Sequence, residues 1–249
     1  MRYVAAEFRK LLGLPSAWAG IAVGLALPPG VVAINGPYLR KAIADGTSIR
    51  LDDLGYTELM VGVIGALVLG VVAAGSEYTS GGQHAPDARQ LTTSLIAMPR
   101  RLLFLAAKAT ALSATVATLA VLGTTATLAA ADAVLGGAAP PLEADRMAGV
   151  AGYWVLMALL ACGLTVCARN GVIPLTVLIL NSSVVSISFL LSRLTDAAVY
   201  LPDIAGARMF IRDLDLPVLL PPVVGGLVTA GWVSVALAAA AVLLRRRDA

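Results

Sequence analysis

Six stretches of this chain are long enough and apolar enough to cross a lipid bilayer. Crossing ~30 Å of hydrocarbon at ~1.5 Å per residue takes about 20 residues. The stretches are 14–34, 58–75, 102–131, 147–168, 172–191 and 223–244. Within lipid no water satisfies the peptide groups, so each stretch must close its own backbone hydrogen bonds as a helix. Pro28-Pro29-Gly30 interrupts the first and predicts a kink there. The charged fraction, 13%, agrees, because a soluble domain carries roughly a quarter. The expectation is an all-α polytopic protein of six transmembrane helices, one domain over residues 1–249.

Loop charges set the orientation. With the N-terminus inside, eleven of the 18 Lys and Arg fall in inner segments, together with four of the 15 Asp and Glu. The positive-inside rule counts only Lys and Arg and places both termini in the cytoplasm. Residues 1–13 mix apolar and charged positions at helical spacing, which suits an interfacial helix along the inner leaflet. Met1–Lys10 does not read as a secretory signal, since Arg2, Glu7, Arg9 and Lys10 break it up and more spans follow.

Much chemistry is missing from the sequence. A nucleotide-binding loop ends in Gly-Lys-Ser/Thr. Here Lys10, Lys41 and Lys108 follow Arg9, Arg40 and Ala107, so none fits. His84 is the single histidine, which excludes a histidine-rich zinc cage. Cys162 and Cys167 share one apolar run, roughly 7 Å apart along a helix and on different faces, and read as small apolar side chains. No motif reads nucleic acid. Glu58 and Asp132 lie at outer ends of their runs, leaving no carboxylate deep in a span for intramembrane proteolysis or for ion coupling. The chain is therefore expected to be no enzyme, to hold no cofactor, and to draw its driving force from another subunit.

Milder polar residues do occur within spans. Thr118 belongs to a threonine-rich third span, and Asn181, Ser182 and Ser186 cluster in the fifth. They serve either helix packing or the lining of a substrate path. Gly20 and Gly24 form a small-xxx-small pair that permits close helix approach in the first span.

The segment between spans two and three is the most specific part. Glu77-Tyr78-Thr79-Ser80-Gly81 closes span two. Arg89-Gln90-Leu91 follows, then Leu95-Ile96-Ala97-Met98-Pro99-Arg100-Arg101, then Lys108. This order resembles the permease subunit of ABC-2 type transporters, with its Glu-Tyr-x-x-Gly element, Leu-x-x-x-Pro-Arg-Arg segment and Lys entering the third span. Glu7-Phe8-Arg9-Lys10-Leu11 resembles that family's interfacial helix, and Tyr200-Leu201-Pro202 its outer re-entrant element between spans five and six. One departure is a loop extension, Gly82 to Ala88, before Arg89.

The resemblance implies a membrane-spanning subunit of an ATP-driven exporter in the plasma (inner) membrane of a prokaryote. It would pair with a second permease, as homo- or heterodimer, and with two cytoplasmic ABC ATPase subunits that carry ATP and Mg. Glu77, Tyr78, Gly81, Arg89, Gln90, Leu95, Pro99 and Arg100 would couple to the ATPase through a cytoplasmic coupling helix. A different reading, kept beside it, is a non-transporting scaffold or sensor component.

Overall fold

The computed structural model describes residues 2–45, 52–78, 101–136, 139–182, 186–214, 216 and 218–246. Among these the chain is all-helical, with no strand. In order the helices are α1 (Arg2–Leu12), α2 (Pro15–Ala44), α3 (Leu59–Gly75), α4 (Arg101–Leu135), α5 (Ala144–Ala168), α6 (Val172–Ser182), α7 (Ile187–Ser192), α8 (Pro202–Ala207) and α9 (Pro222–Arg246). A 3₁₀ turn, Asp196–Tyr200, precedes α8.

Four helices, α2, α4, α5 and α9, are long and apolar enough to cross a membrane, while α3 and α6 are shorter apolar helices. The protein is thus membrane-embedded and multi-pass. Its lipid-facing surface is explicit on α6 and α9, where Val172, Ile173, Val177, Val223, Leu227 and Val235 stand exposed. So many large exposed apolar side chains on two helices suit an apolar solvent.

The core lies around α3 and α5. Tyr153, Trp154, Met157, Leu59, Leu67 and Leu69 are fully enclosed, and the Trp154 indole donates to Leu59 O at 3.1 Å. Small residues bring backbones together. A Cβ on Gly65 of α3 would fall 2.5 Å from Gly20 O and from Gly24 N of α2. The Gly20/Gly24 pair thus makes the close approach its spacing predicts, and the partner is α3. Three threonines of α4 return their hydroxyls to their own helix four residues back: Thr115 to Ala111, Thr118 to Ala114 and Thr127 to Gly123. That arrangement hides a polar group inside an apolar helix.

Two expectations about the spans change. The first run does not stop at residue 34: α2 continues through Pro28, Pro29 and Pro37 to Ala44. The run 172–191 is two helices, α6 and α7, with the helix ending at Ser182 and restarting at Ile187. The stretch from 192 to 216 carries a 3₁₀ turn and the short α8, and Pro202 occupies the first turn of α8, where its missing N–H is harmless.

Candidate functional site

At the end of the bundle where α4 begins, a buried ion cluster joins three separate elements. Lys108 lies two turns into α4, on the face turned toward α1 and α3, and is 3% exposed. Its ammonium donates to Glu7 Oε2 of α1 at 2.7 Å, to Glu77 Oε1 at 3.0 Å and to Ala73 O of α3 at 2.8 Å. Three N–H groups meet three acceptors, so the ammonium is fully satisfied. Glu77, two residues beyond α3, also accepts from Lys10 Nζ at 2.5 Å. Two lysines and two glutamates balance in charge, and all but Lys10 are withdrawn from water.

Each position has a local cause. Glu7 lies on the inward face of α1, one turn before the buried Leu11, so the amphipathic pattern that lays α1 along the bundle also turns this carboxylate inward. Glu77 falls in the turn that closes α3, where Ser76 N bonds Val72 O and Glu77 N bonds Ala74 O. Burial alone would raise the Glu77 carboxyl, but Lys108 and Lys10 beside it outweigh this and hold it below the ordinary carboxylate range. A small cavity of about 10 Å³ adjoins the cluster, roughly one water in size. Close by, Arg101 at the start of α4 donates to Leu244 O near the end of α9.

The opposite end has its own lock. Arg146 of α5 donates from Nε to Phe210 O at 2.8 Å, from Nη1 to Asp52 O at 2.7 Å, and from Nη2 to the Asp53 carboxylate. Its guanidinium lies 3.5 Å over the Tyr56 ring. Asp53 also accepts the backbone N–H groups of Arg212 and Asp213. Neither Asp53 nor Arg146 stood out in the sequence, where both counted only as loop charges.

Of the residues read as coupling positions, Glu77 and Tyr78 are described, and Glu77 enters the cluster. Gly81, Arg89, Gln90, Leu95, Pro99 and Arg100 lie outside the described residues. The polar residues of the fifth span are brought together at its break. Asn181 Oδ1 accepts Ser188 N at 3.2 Å and Ser188 Oγ at 2.8 Å, and Ser186 Oγ donates to Asp203 Oδ2 at 2.8 Å. Ser182 is buried there, and among the described residues its hydroxyl has no partner. Thr118 does not join them, since it stands on the exposed flank of α4. Tyr200 O accepts the Trp232 indole at 2.9 Å and Pro202 O accepts Thr229 Oγ1 at 3.3 Å, so this element is pinned to α9, with Leu201 capping α8.

No protein-family model matches the chain, and no curated protein or solved structure does either. Among the described residues no group of three or more His, Cys, Asp or Glu is arranged to hold a metal.

Proposed function

We propose that this protein is the membrane-spanning permease subunit of an ATP-driven exporter of the ABC-2 type. It would move a small amphiphile, drug or peptide when coupled to a separate ATPase. The reading rests on the residue order from Glu77 to Lys108. The observation that supports it most is the buried cluster of Glu7, Glu77 and Lys108. Segment 79–100 leaves α3 beside Glu77 and enters α4 seven residues before Lys108. A push on that segment would therefore arrive where α1, α3 and α4 are bound to one another, and would move them as one body instead of bending a single joint. In this reading two cytoplasmic ATPase subunits bind ATP and Mg beneath a dimer of permeases. Both termini are cytoplasmic in a prokaryotic plasma membrane, and substrate passes by alternating access.

The test is co-expression with any ABC ATPase encoded beside it, purification in nanodiscs, and vanadate-sensitive ATP hydrolysis with and without residues 83–95. Co-purification with hydrolysis that the deletion uncouples from the membrane subunit is the expected result. If no ATPase co-purifies and the deletion changes nothing, the exporter reading fails and a scaffold or sensor component takes its place.

A further inference from the structure

The end of the bundle away from the lysine cluster holds a cavity of about 470 Å³, within the range of small-ligand sites. Its walls are mainly apolar, with Ala148 of α5, Met209, Phe210 and Ile211 after α8, and Val223 at the start of α9. Three arginines and one carboxylate line it as well, and they differ in what charge they have left to offer.

Arg146 is closed on Asp53, and Arg212 on Glu143. Arg208 is different. It is 7% exposed and forms no ion pair among the described residues. Its Nε–H donates to Leu220 O at 3.0 Å, and its two Nη1–H groups to Ile211 O at 2.9 Å and Arg212 O at 2.6 Å. A guanidinium has five N–H groups. The two on Nη2 find no acceptor among the described residues. Asp145 also lines the cavity, but it is exposed, where water and salt screen it. Asp53 and Asp213 also act on this guanidinium through space, but among the described residues neither is bonded to it, and the buried cation is held in place by three carbonyls with its Nη2 left over.

The apolar wall does not end at the cavity mouth. Val223 both lines the cavity and stands 75% exposed, and Leu227, one turn further along α9, is 68% exposed. A path thus leads from the guanidinium to the lipid-facing flank of α9.

We propose that this cavity binds an anionic amphiphile, whose phosphate or carboxylate head sits on Arg208 Nη2 and whose apolar part follows Met209, Phe210 and Val223 onto α9. A charge-assisted pair to a guanidinium in an apolar surround is among the stronger polar contacts available. An inorganic ion would gain the same pair but nothing from the apolar wall. The site does not depend on ATP coupling and stands or falls without the exporter reading.

The experiment uses the full chain in dodecyl maltoside, titrated with dodecyl phosphate while the unfolding temperature is followed. Dodecyltrimethylammonium, with the same tail and opposite charge, and inorganic phosphate are the comparisons. Dodecyl phosphate is expected to raise the unfolding temperature saturably, and the other two are not. Arg208→Lys, which cannot reproduce the fork, should weaken the apparent affinity about tenfold or more. Because Arg208 also holds three carbonyls, Ala148→Trp is the second variant. It fills the cavity from an exposed position, so it should keep the basal unfolding temperature and abolish the shift. An equal shift with the cationic amphiphile overturns the proposal. So does a full shift with inorganic phosphate alone, or an undiminished response in Ala148→Trp.

Discussion

Replacing Lys108 by Met tests the buried cluster most directly. The two side chains have similar length and volume, so packing is retained while the charge is removed. Glu7, 6% exposed, loses its ammonium partner, and Glu77, 2% exposed, loses one of its two lysines. Breaking a buried pair by removing one partner costs about 3–5 kcal/mol, because the remaining charge is stranded out of water. The same range is expected here. Glu7→Gln added to Lys108→Met removes the stranded charge and should recover roughly half of the loss, since neighbouring members of one network do not add independently.

The pH dependence follows from the lowered Glu77 carboxyl. A depressed acid stabilises the fold above its unfolded value, about 4.3, and that stabilisation is lost as pH falls through the folded value. In the Lys108→Met chain, acid instead neutralises the stranded carboxylates. The gap between the two proteins should therefore narrow from pH 7 toward pH 4. Unfolding of the purified protein in dodecyl maltoside, followed by SDS titration at several pH values, measures both effects. A loss under about 1 kcal/mol at pH 7, or a double variant no better than the single, would show that water reaches these groups and refute the reasoning.

Three further outcomes are expected in the same assay. Gly65→Ala should lose roughly 1–3 kcal/mol, because its Cβ meets backbone atoms of α2 that cannot move aside, whereas Gly30→Ala, with nothing within 4 Å, should be neutral or gain up to about 1 kcal/mol. Arg146→Lys should lose about 1–3 kcal/mol, since a compact ammonium cannot span Phe210 O, Asp52 O and Asp53, which three separate guanidinium nitrogens reach, and a double-mutant cycle with Asp53→Asn should show coupling between the two. Burial holds the Asp203 carboxyl above its ordinary range, so the stability it contributes is present below about pH 3.9 and declines as pH rises. Asp203→Asn should remove that slope, visible as a flatter stability–pH curve as pH rises above about 3.9.

The helical, lipid-embedded character could be read directly, because a run of apolar residues leaves the backbone no alternative to a helix. The same logic misplaced the end of α2. Asn35, Arg40 and Lys41 are poor lipid partners, but they continue a helix readily once it has begun, and Arg40 reaches carbonyls at the far end of α4. The break between α6 and α7 was half legible. Asn181, Ser182 and Ser186 stood out as polar residues within a span, but their use was hidden. Asn181 and Ser186 serve the N–H groups at the start of α7. The Glu7–Lys108 pair could not be found from spacing at all, because it depends on α1 folding back along α4. The sequence signals available were an inward-facing Glu in an amphipathic helix and a Lys inside an apolar one, each looking for a partner.

That pairing bears on how the protein is made. Glu7 and Lys108 are 101 positions apart. Synthesis delivers α1 before α4, so the Glu7 carboxylate meets Lys108 only once α4 has emerged. Although made before α3 and α4, α1 therefore settles only after them, and its docking reports that both have reached their places. A chain stalled before α4 would leave Glu7 without the Lys108 ammonium that holds α1 against α3 and α4.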